Sequence, residues 1–213
     1  MNTVRFQVAI SLDGYVAGPD QSEENPLGVG GMDLHRWLFD LEAWRAPQGE
    51  DGGTVNASSA VMDEVQANVG ATVMGRNMFG GGSGPWGDDP TWNGWWGENP
   101  PFHTPVFVLT HHERASLAME GDTTFTFVTD GIESALEQAK EAASGQDVLI
   151  GGGAHAIQQY LAAGLVDEFW LHVVPILLHD GERLLHRVGP LTLEQLRVVE
   201  APGVAHLKYW VVH

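Results

Sequence analysis

Two glycine-containing segments follow short apolar runs and carry groups suited to phosphate binding. The first, Gly151-Gly152-Gly153, follows Val148-Leu149-Ile150 and precedes a helical pattern. Glycines let the backbone approach a ligand closely, and the start of a helix offers unpaired N–H groups and the positive end of its dipole. This turn suits a phosphate. A tight turn that binds nothing explains a bare triple glycine equally well, since the full GxGxxG fingerprint is missing.

The second segment, Gly75-Arg76-Asn77, directly follows the apolar run 71–74, which is typical of a buried strand. Its guanidinium can hold a phosphate through two parallel hydrogen bonds. Two strand ends with anion-binding chemistry are less expected by chance than one.

Ionisable side chains supply two further candidates. Asp33 stands at the entrance of the predicted helix 32–44, where it could act chemically or simply favour the helix start as a capping residue. His111 and His112 follow the predicted strand 105–110. Neighbouring residues on a strand point to opposite faces, and no His-x-His or HExxH pattern completes a ligand set, so we predict no metal site.

The elements that must position these residues alternate along the chain. Helices are predicted at 32–44, 56–68, 132–144 and 154–164, and strands at 3–12, 71–74, 105–110, 125–128, 148–150, 169–174, 175–181, 193–201 and 205–212. Strands separated by helices indicate an α/β fold, with a largely parallel sheet covered on both faces and an antiparallel edge formed by the C-terminal pair. Ligands bind such sheets beyond the carboxyl ends of the strands. The segments expected there are 9–13, Gly75-Arg76, Thr110-His111, Thr129 and 151–153.

Two long glycine-containing loops interrupt this order, at 18–31 and at 80–101. The second contains Trp86, Trp92, Trp95 and Trp96, and tryptophans are rarely left in water. We therefore expect the segment 80–101 either to fold over a pocket or to pack against a second subunit, in preference to a disordered loop.

Composition limits the classes of function. The 213 residues suit a single domain, 1–213, and the net charge of −18 argues against nucleic acid or an anionic membrane as a general partner. Without cysteine, disulfides and thiolate chemistry are excluded. The first residues do not resemble a signal peptide, and no apolar run reaches the ~18 residues of a membrane span, so a cytoplasmic location is expected.

Six segments in this order and spacing resemble the dihydrofolate reductase-like family. They are VAISLDGYVAG (8–18), MDLHRWLF (32–39), TVMGRNMF (72–79), PVFVLTHHER (105–114), FVTDGIESAL (127–136) and DVLIGGGAHAIQQYLAAGLVDEFWLHVVPILL (147–178). Within that family the chain is similar to the reductase half of the bifunctional riboflavin-biosynthesis deaminase/reductase. The cysteine-containing signature of the deaminase half is missing.

The resemblance implies an oxidoreductase that binds NADPH. By position in the family's motifs, Gly75, Arg76 and Asn77 would meet the pyrophosphate and adenosine side, and Thr110, His111 and His112 the 2′-phosphate. Thr129 would lie by the adenine ribose. Ala9, Ile150, Gly151, Gly152, Gly153, Ala154 and His155 would meet the nicotinamide and the pyrophosphate.

The same resemblance implies the substrate side. Asp33 would be the catalytic carboxylate that orients the substrate and handles a proton, with Trp37 and His172 beside the substrate. The implied substrate is a pterin-, folate- or pyrimidine-like heterocycle, and loops 18–31 and 80–101 would set its identity. A homodimer is implied by family analogy. The alternative is a non-catalytic nucleotide-binding or interaction protein that retains the fold, with the tryptophan-rich segment as an interface.

Overall fold

The computed structural model describes residues 3–46, 49–82, 84–87 and 91–213. The chain divides into two compact units, each built from separate stretches of sequence. Unit 1 contains the residues up to Phe6 together with Asn68–Asp167, and unit 2 contains Gln7–Ala67 together with Glu168–His213. The expectation of a single domain over 1–213 stays a prediction.

Unit 1 is built on a parallel sheet. Its strands, in spatial order, are the first residues of β1 (Val4–Ser11), then β7 (Asp147–Gly152), β3 (Val69–Gly75), β4 (Pro105–Leu109), β6 (Thr124–Val128) and β5 (Leu117–Ala118). The pairs from β1 to β6 are parallel, and β5 adds a short antiparallel edge. The five middle residues of β3 are all buried, as expected for a parallel strand covered on both faces.

Three helices belong to unit 1: α4 (Arg76–Phe79), α5 (Ile132–Ala142) and α6 (Ala154–Ala162). In α6 the buried residues Ile157, Tyr160 and Leu161 recur at helical spacing. The phenol of Tyr160 donates to the carbonyl of Ile132 at 2.8 Å, which ties α6 to the start of α5. Gly164 ends the helix with a φ of 65°, a conformation that glycine adopts without steric cost.

Unit 2 contains antiparallel strands in the order β10 (Thr192–Ala201), β11 (Val204–Val212) and β8 (Glu168–Val174), with the later residues of β1 next to β8. A separate pair joins β2 (Tyr15–Ala17) to β9 (Glu182–Arg183). The predicted mostly parallel sheet with an antiparallel C-terminal edge is therefore confirmed.

The helix α3 (Ala57–Gln66) of unit 2 begins at a complete capping box. The Asn56 side chain accepts from the N–H of Ser58 at 2.8 Å, and the Ser59 hydroxyl accepts from the N–H of Asn56 at 3.2 Å. Both bonds satisfy N–H groups that a helix start leaves unpaired. The predicted helix 56–68 is therefore present over Ala57–Gln66.

The prediction of one continuous helix over 32–44 is wrong. A 3₁₀ helix, Gly31–His35, leads into α1 (Arg36–Phe39), and α2 (Glu42–Arg45) follows after a break. Leu41, at the break, is extended, fully buried and paired in a parallel bridge with Thr54. Since that bridge joins residues thirteen positions apart, the local apolar periodicity could not indicate it.

The strand predicted at 175–181 is also absent, and the two-residue strand β9 follows it instead. The N–H groups of Leu178 and His179 donate to the carboxylate of Asp13 at 3.1 and 2.7 Å. These bonds take up N–H groups that a ladder would otherwise use. Among the described residues, no helix is both long and apolar enough to cross a membrane.

The described part of the tryptophan-rich segment packs on unit 1 itself. Trp86, Trp92 and Trp96 lie against a core cluster that includes Phe79 and Phe125. The Trp86 ring meets Phe79 edge-on with centroids 5.8 Å apart. Positions 83 and 88–90 of the segment lie outside the described residues. The predicted choice between a pocket cover and a subunit interface stays open, since these tryptophans also serve the core of their own unit.

Candidate functional site

The two predicted phosphate-binding segments lie side by side in unit 1. In the parallel pair of β3 and β7, Met74 is in register with Gly152. A methyl group built on Gly75 would lie 3.7 Å from both the carbonyl oxygen of Gly152 and the nitrogen of Gly153. The strand–glycine–helix junctions therefore form one surface at the carboxyl edge of the unit 1 sheet.

The turn between β7 and α6 leaves its main chain open. β7 continues through Gly152, two residues further than predicted, and the peptide bond between Gly152 and Gly153 is cis. A methyl group built on Gly151 would meet Thr72 at 3.2 Å, whereas one built on Gly153 would meet nothing within 4 Å. No side chain among the described residues caps α6. A helix start without a side-chain cap favours an anion through the positive end of its dipole.

The ends of β4 and β6 lie at the same edge of unit 1. Leu109 and Val128 are in register, and the N–H of Thr110 donates to the carbonyl of Val128 at 3.0 Å. The Thr110 hydroxyl accepts from the N–H of His112 at 3.2 Å. This turn places Thr110, His111 and His112 after β4 and Thr129 after β6, as the sequence predicts.

Arg76 is buried beside these turns, and most of its guanidinium already has protein partners. Nε donates to the carbonyl of Gly80 at 3.1 Å and Nη2 to that of Gly81 at 2.8 Å. The Trp86 ring centroid lies 2.9 Å from the guanidinium carbon. Nη1 is buried and has no hydrogen-bond partner among the described residues. Nη1 is the guanidinium nitrogen that the described residues leave without a partner, and the predicted two-pronged contact with a phosphate stays a prediction.

A second guanidinium lies on the same tryptophan. That of Arg114 is 4.6 Å from the Trp86 ring centroid. Burial, and secondarily the charge of Arg114, lower the pKa of Arg76 to about 10, so Arg76 remains a cation at neutral pH. Two cations around one indole form a local positive region in a chain of net charge −18.

Asp33, the predicted catalytic carboxylate, lies in unit 2. It stands in the 3₁₀ helix, and its Oδ1 accepts from Nε and Nη2 of Arg36, each at 2.6 Å. Its side chain is 43% exposed. Asp33 does not cap the 3₁₀ helix either, because Gly30 holds the capping position.

Trp37 and His172, the other predicted substrate residues, are in contact within unit 2. Their ring centroids lie 5.2 Å apart, and both side chains are buried. The indole N–H of Trp37 donates to the carbonyl of Leu34 at 3.0 Å. Ala9, expected near the nicotinamide, is buried in the same apolar cluster as Trp37.

His172 belongs to a buried polar chain that the sequence did not reveal. Its Nε2 lies 2.7 Å from Oε1 of Gln7, and its Nδ1 lies 2.8 Å from Nδ1 of His206. The Nε2 of His206 lies 2.9 Å from the Ser58 hydroxyl. His206 and His172 are directly opposite each other in the antiparallel pair of β11 and β8. Only the pairing of β11 with β8 brings His206 beside His172. The predicted strands did not define which residues of the two strands face each other.

Burial keeps both histidines of this chain neutral. It lowers the pKa of His172 to about 3, with smaller contributions from His206 and His35, and it lowers the pKa of His206 to about 4. Within the described ranges, no group of three or more histidine or acidic side chains could hold a metal ion.

Comparisons with solved structures place the fold among reductases. A protein assigned to riboflavin biosynthesis from Shewanella sp. PV-4 is 20% identical, with a TM-score of 0.62 and 99% of each chain covered. Dihydrofolate reductase from Enterococcus faecalis, solved with NADP(H), is 14% identical, with a TM-score of 0.52 and coverage of 98% of this chain and 96% of that one. At these identities the likeness shows the fold, which is dihydrofolate reductase-like as expected.

Sequence comparisons define the family. Uncharacterized protein YwjB of Bacillus subtilis (strain 168) is 22% identical over 210 residues, which cover 96% of this chain and 94% of that protein. The family model of the RibD C-terminal domain matches residues 2–206. With that match over nearly the whole length, the chain belongs to the RibD C-terminal domain family, the reductase family that the six sequence segments resemble.

Proposed function

We propose that the protein is an NADPH-dependent reductase that acts on a pterin-, folate- or pyrimidine-like heterocycle. The observation that carries this proposal is the junction in unit 1, where Gly75 lies against the open Gly152–Gly153 main chain beside an uncapped helix start. Such a surface binds a pyrophosphate through backbone N–H groups. Bound NADPH would supply the hydride.

The residues proposed to hold the cofactor belong to four strand ends of unit 1. Gly75 ends β3, and Arg76 and Asn77 follow it. Thr110 to His112 follow β4, Thr129 follows β6, and Ile150 to His155 span the end of β7 and the start of α6. The unpartnered Nη1 of Arg76 supports an anionic ligand here, because a buried donor without a partner costs free energy that a phosphate oxygen would recover.

A preference for NADPH over NADH follows from the cations around Trp86. Arg76 and Arg114 both lie on that ring, and a 2′-phosphate is the charge that distinguishes the two cofactors. Titration with each cofactor, followed by nicotinamide fluorescence, tests the proposal. We expect saturable binding that is tighter for NADPH. No binding of either cofactor at high-micromolar concentration would contradict the reductase proposal.

Asp33 is proposed as the group that orients the substrate and handles its proton. Its present partner, Arg36, is three residues further along the chain and exposed, and exposed ion pairs of this kind are weak. A substrate could therefore displace Arg36 at little cost. With a turned-over substrate in hand, Asp33→Asn should lower kcat by a factor of about 100 or more, as for loss of a general acid–base. Turnover at the parental rate would remove this role.

A non-catalytic protein that retains the fold is the rival function. The ion pair that already occupies the Asp33 carboxylate with Arg36 favours it. NADPH binding without oxidation across folate, pterin and ribosylaminopyrimidine substrates would support this rival. NADPH oxidation with any of them would exclude it.

We also propose a homodimer. Five large apolar side chains on the C-terminal hairpin are exposed, and they are Leu193, Leu196, Val198, Trp210 and Val212. Exposed apolar side chains on an edge strand invite pairing with another chain. Light scattering on the purified protein would distinguish the monomer from the dimer.

A further inference from the structure

The buried chain Ser58–His206–His172–Gln7 in unit 2 has no role in the function proposed above. Its four members are linked by three contacts of 2.9, 2.8 and 2.7 Å. Ser58, His206 and His172 are each at most 1% exposed, whereas Gln7 is only partly buried. The chain therefore runs from a closed end at α3 to an accessible end on β1.

Hydrogen-bonding rules allow the protons of this chain only two arrangements. Two neutral imidazoles that meet through Nδ1 must differ, one donating and the other accepting. Either Ser58 donates into the chain and Gln7 accepts through its oxygen, or every bond is reversed and Gln7 donates through its nitrogen.

The closed end decides between them. In the reversed arrangement the Ser58 hydroxyl would accept from His206 and would need another acceptor for its own proton. Ser58 makes no other side-chain hydrogen bond among the described residues. A buried hydroxyl proton without an acceptor is costly. Ser58 therefore donates to Nε2 of His206, Nδ1–H of His206 donates to His172, and Nε2–H of His172 donates to the oxygen of Gln7.

Tryptophan side chains pack around both imidazoles. His172 lies between Trp37, at 5.2 Å, and Trp170, at 6.4 Å, measured between ring centroids. Trp37 also meets His206 edge-on at 5.0 Å. With both rings packed in this way, the hydrogen-bond order set at Ser58 extends through His206 and His172 to Gln7.

The orientation of the Gln7 amide follows. Its oxygen is held by His172, so its NH₂ group is the one directed away from the chain. The amide nitrogen has no hydrogen-bond partner among the residues that the structure describes, and Gln7 is not fully buried. Because both ring nitrogens of His172 are already paired, a ligand in unit 2 would meet the polar chain through Gln7.

We propose that Gln7 contacts the substrate, donating a hydrogen bond from its amide nitrogen to a carbonyl oxygen of the heterocycle, and that His172, His206 and Ser58 are positioning residues that fix this donor. The inference rests on the proposed reductase function for its substrate and assigns His172 an indirect role. A site with one fixed donor discriminates strongly against a ring that lacks the acceptor.

The first experiment measures the proton positions without any ligand or activity. Long-range ¹H–¹⁵N spectra of the ¹⁵N-labelled protein at pH 7.5 report which ring nitrogen of each histidine carries the proton. We expect the Nε2–H tautomer for His172 and the Nδ1–H tautomer for His206. Ser58→Ala should mix the tautomers of both histidines, and Ser58→Thr, which retains the hydroxyl, should preserve them. The opposite tautomers in the parental protein would overturn the positioning role.

The second experiment measures ligand binding by Gln7→Met, with Gln195→Met as the control. Gln195 is exposed on β10, so Gln195→Met makes the same substitution away from the four hydrogen-bonded side chains. In the presence of NADP⁺, Gln7→Met should bind folate about tenfold more weakly, as for loss of one hydrogen bond, and should bind NADP⁺ as before. Gln195→Met should match the parental protein in both.

Three results would count against Gln7. These are unchanged folate affinity in Gln7→Met, a loss of NADP⁺ affinity as large as that for folate, and failure of the parental protein to bind any of folate, lumazine and 5-amino-6-ribosylaminouracil. If the cofactor itself fails to bind, the reductase proposal falls, whereas the tautomer spectra still test the positioning chain independently.

Discussion

Burying two neutral histidines in contact makes the free energy of unfolding depend on pH. In the folded chain the pKa values of His172 and His206 are about 3 and about 4, against 6.5 for an ordinary histidine. Between these limits the unfolded state binds more protons than the folded state, so the free energy of unfolding falls as pH falls. This stability is fully present above pH 6.5 and is lost as pH drops towards 4.

We therefore predict a steep acid side in the stability profile. Each histidine contributes up to about 1.4 kcal/mol per pH unit in this window. His172→Gln should make the slope between pH 6.5 and pH 4 shallower by about one proton, as measured by urea unfolding at several pH values. The exposed His186 provides the control, since His186→Gln should leave the slope unchanged. Equal slopes for His172→Gln and the parental protein would show that His172 is charged when folded.

Residue types at strand ends were predictable because their chemistry is local. Gly75, Gly152 and Thr110 stand where the apolar runs stop, and the parallel sheet brings those ends to one edge. Gln7 and His206 were not predictable. Their role depends on which residues of distant strands face each other and on where the protons of the hydrogen-bonded chain lie, and residue spacing in the sequence indicates neither.

At the scale of elements, the junction of β7 with α6 combines a tight turn with an open helix start. Gly151 is packed against Thr72, so the glycine there is needed for packing. Gly153 differs, because its backbone is extended and the space around it is empty. An empty position at a helix start is what close approach of an anionic ligand requires.

Gly153→Ala is therefore predicted to separate ligand binding from stability. The added methyl meets no protein atom, so the free energy of unfolding should change by no more than about 0.5 kcal/mol. The same methyl would crowd a pyrophosphate held against this turn and should weaken NADPH binding about tenfold, as overpacking does. Gly84→Ala is the matched control, since Gly84 is also exposed to open space and lies in the tryptophan-rich segment.

Fluorescence titration of NADPH, together with urea unfolding, measures both quantities on each variant. Parental affinity in Gly153→Ala would mean that the cofactor does not approach this turn. A large loss of stability would mean that the turn is under structural constraint instead.

Element boundaries show where local patterns fail. The apolar stripe of 32–44 predicted one helix, but Leu41 leaves the helix to pair with Thr54. Likewise, the carboxylate of Asp13 takes up N–H groups in the segment expected to form a strand at 175–181. In both cases a contact between distant residues overrides a local preference. The alternating strands and helices that surround them were predictable because their periodicity extends over whole elements.

The whole molecule carries a charge of −18, and this charge has consequences for any anionic ligand. A strongly negative protein repels nucleic acid and phosphate at long range. A dinucleotide must therefore be held by short-range donors, such as the backbone at the glycine turns and the buried Arg76. The absence of nucleic-acid binding stays a prediction of the composition.

The same charge predicts that salt stabilises the folded protein. Like charges held on a compact surface repel one another, and unfolding relieves that repulsion. Raising the ionic strength from about 0.01 M to about 0.1 M shortens the screening length from about 30 Å to about 10 Å. We expect the thermal midpoint to rise over this range, at constant pH, in scanning calorimetry. NaCl and KCl should act alike, since screening depends on ionic strength alone. A midpoint that falls with salt would mean that attractive ion pairs, such as that of Lys208 with Glu64 and Glu168, outweigh the net repulsion.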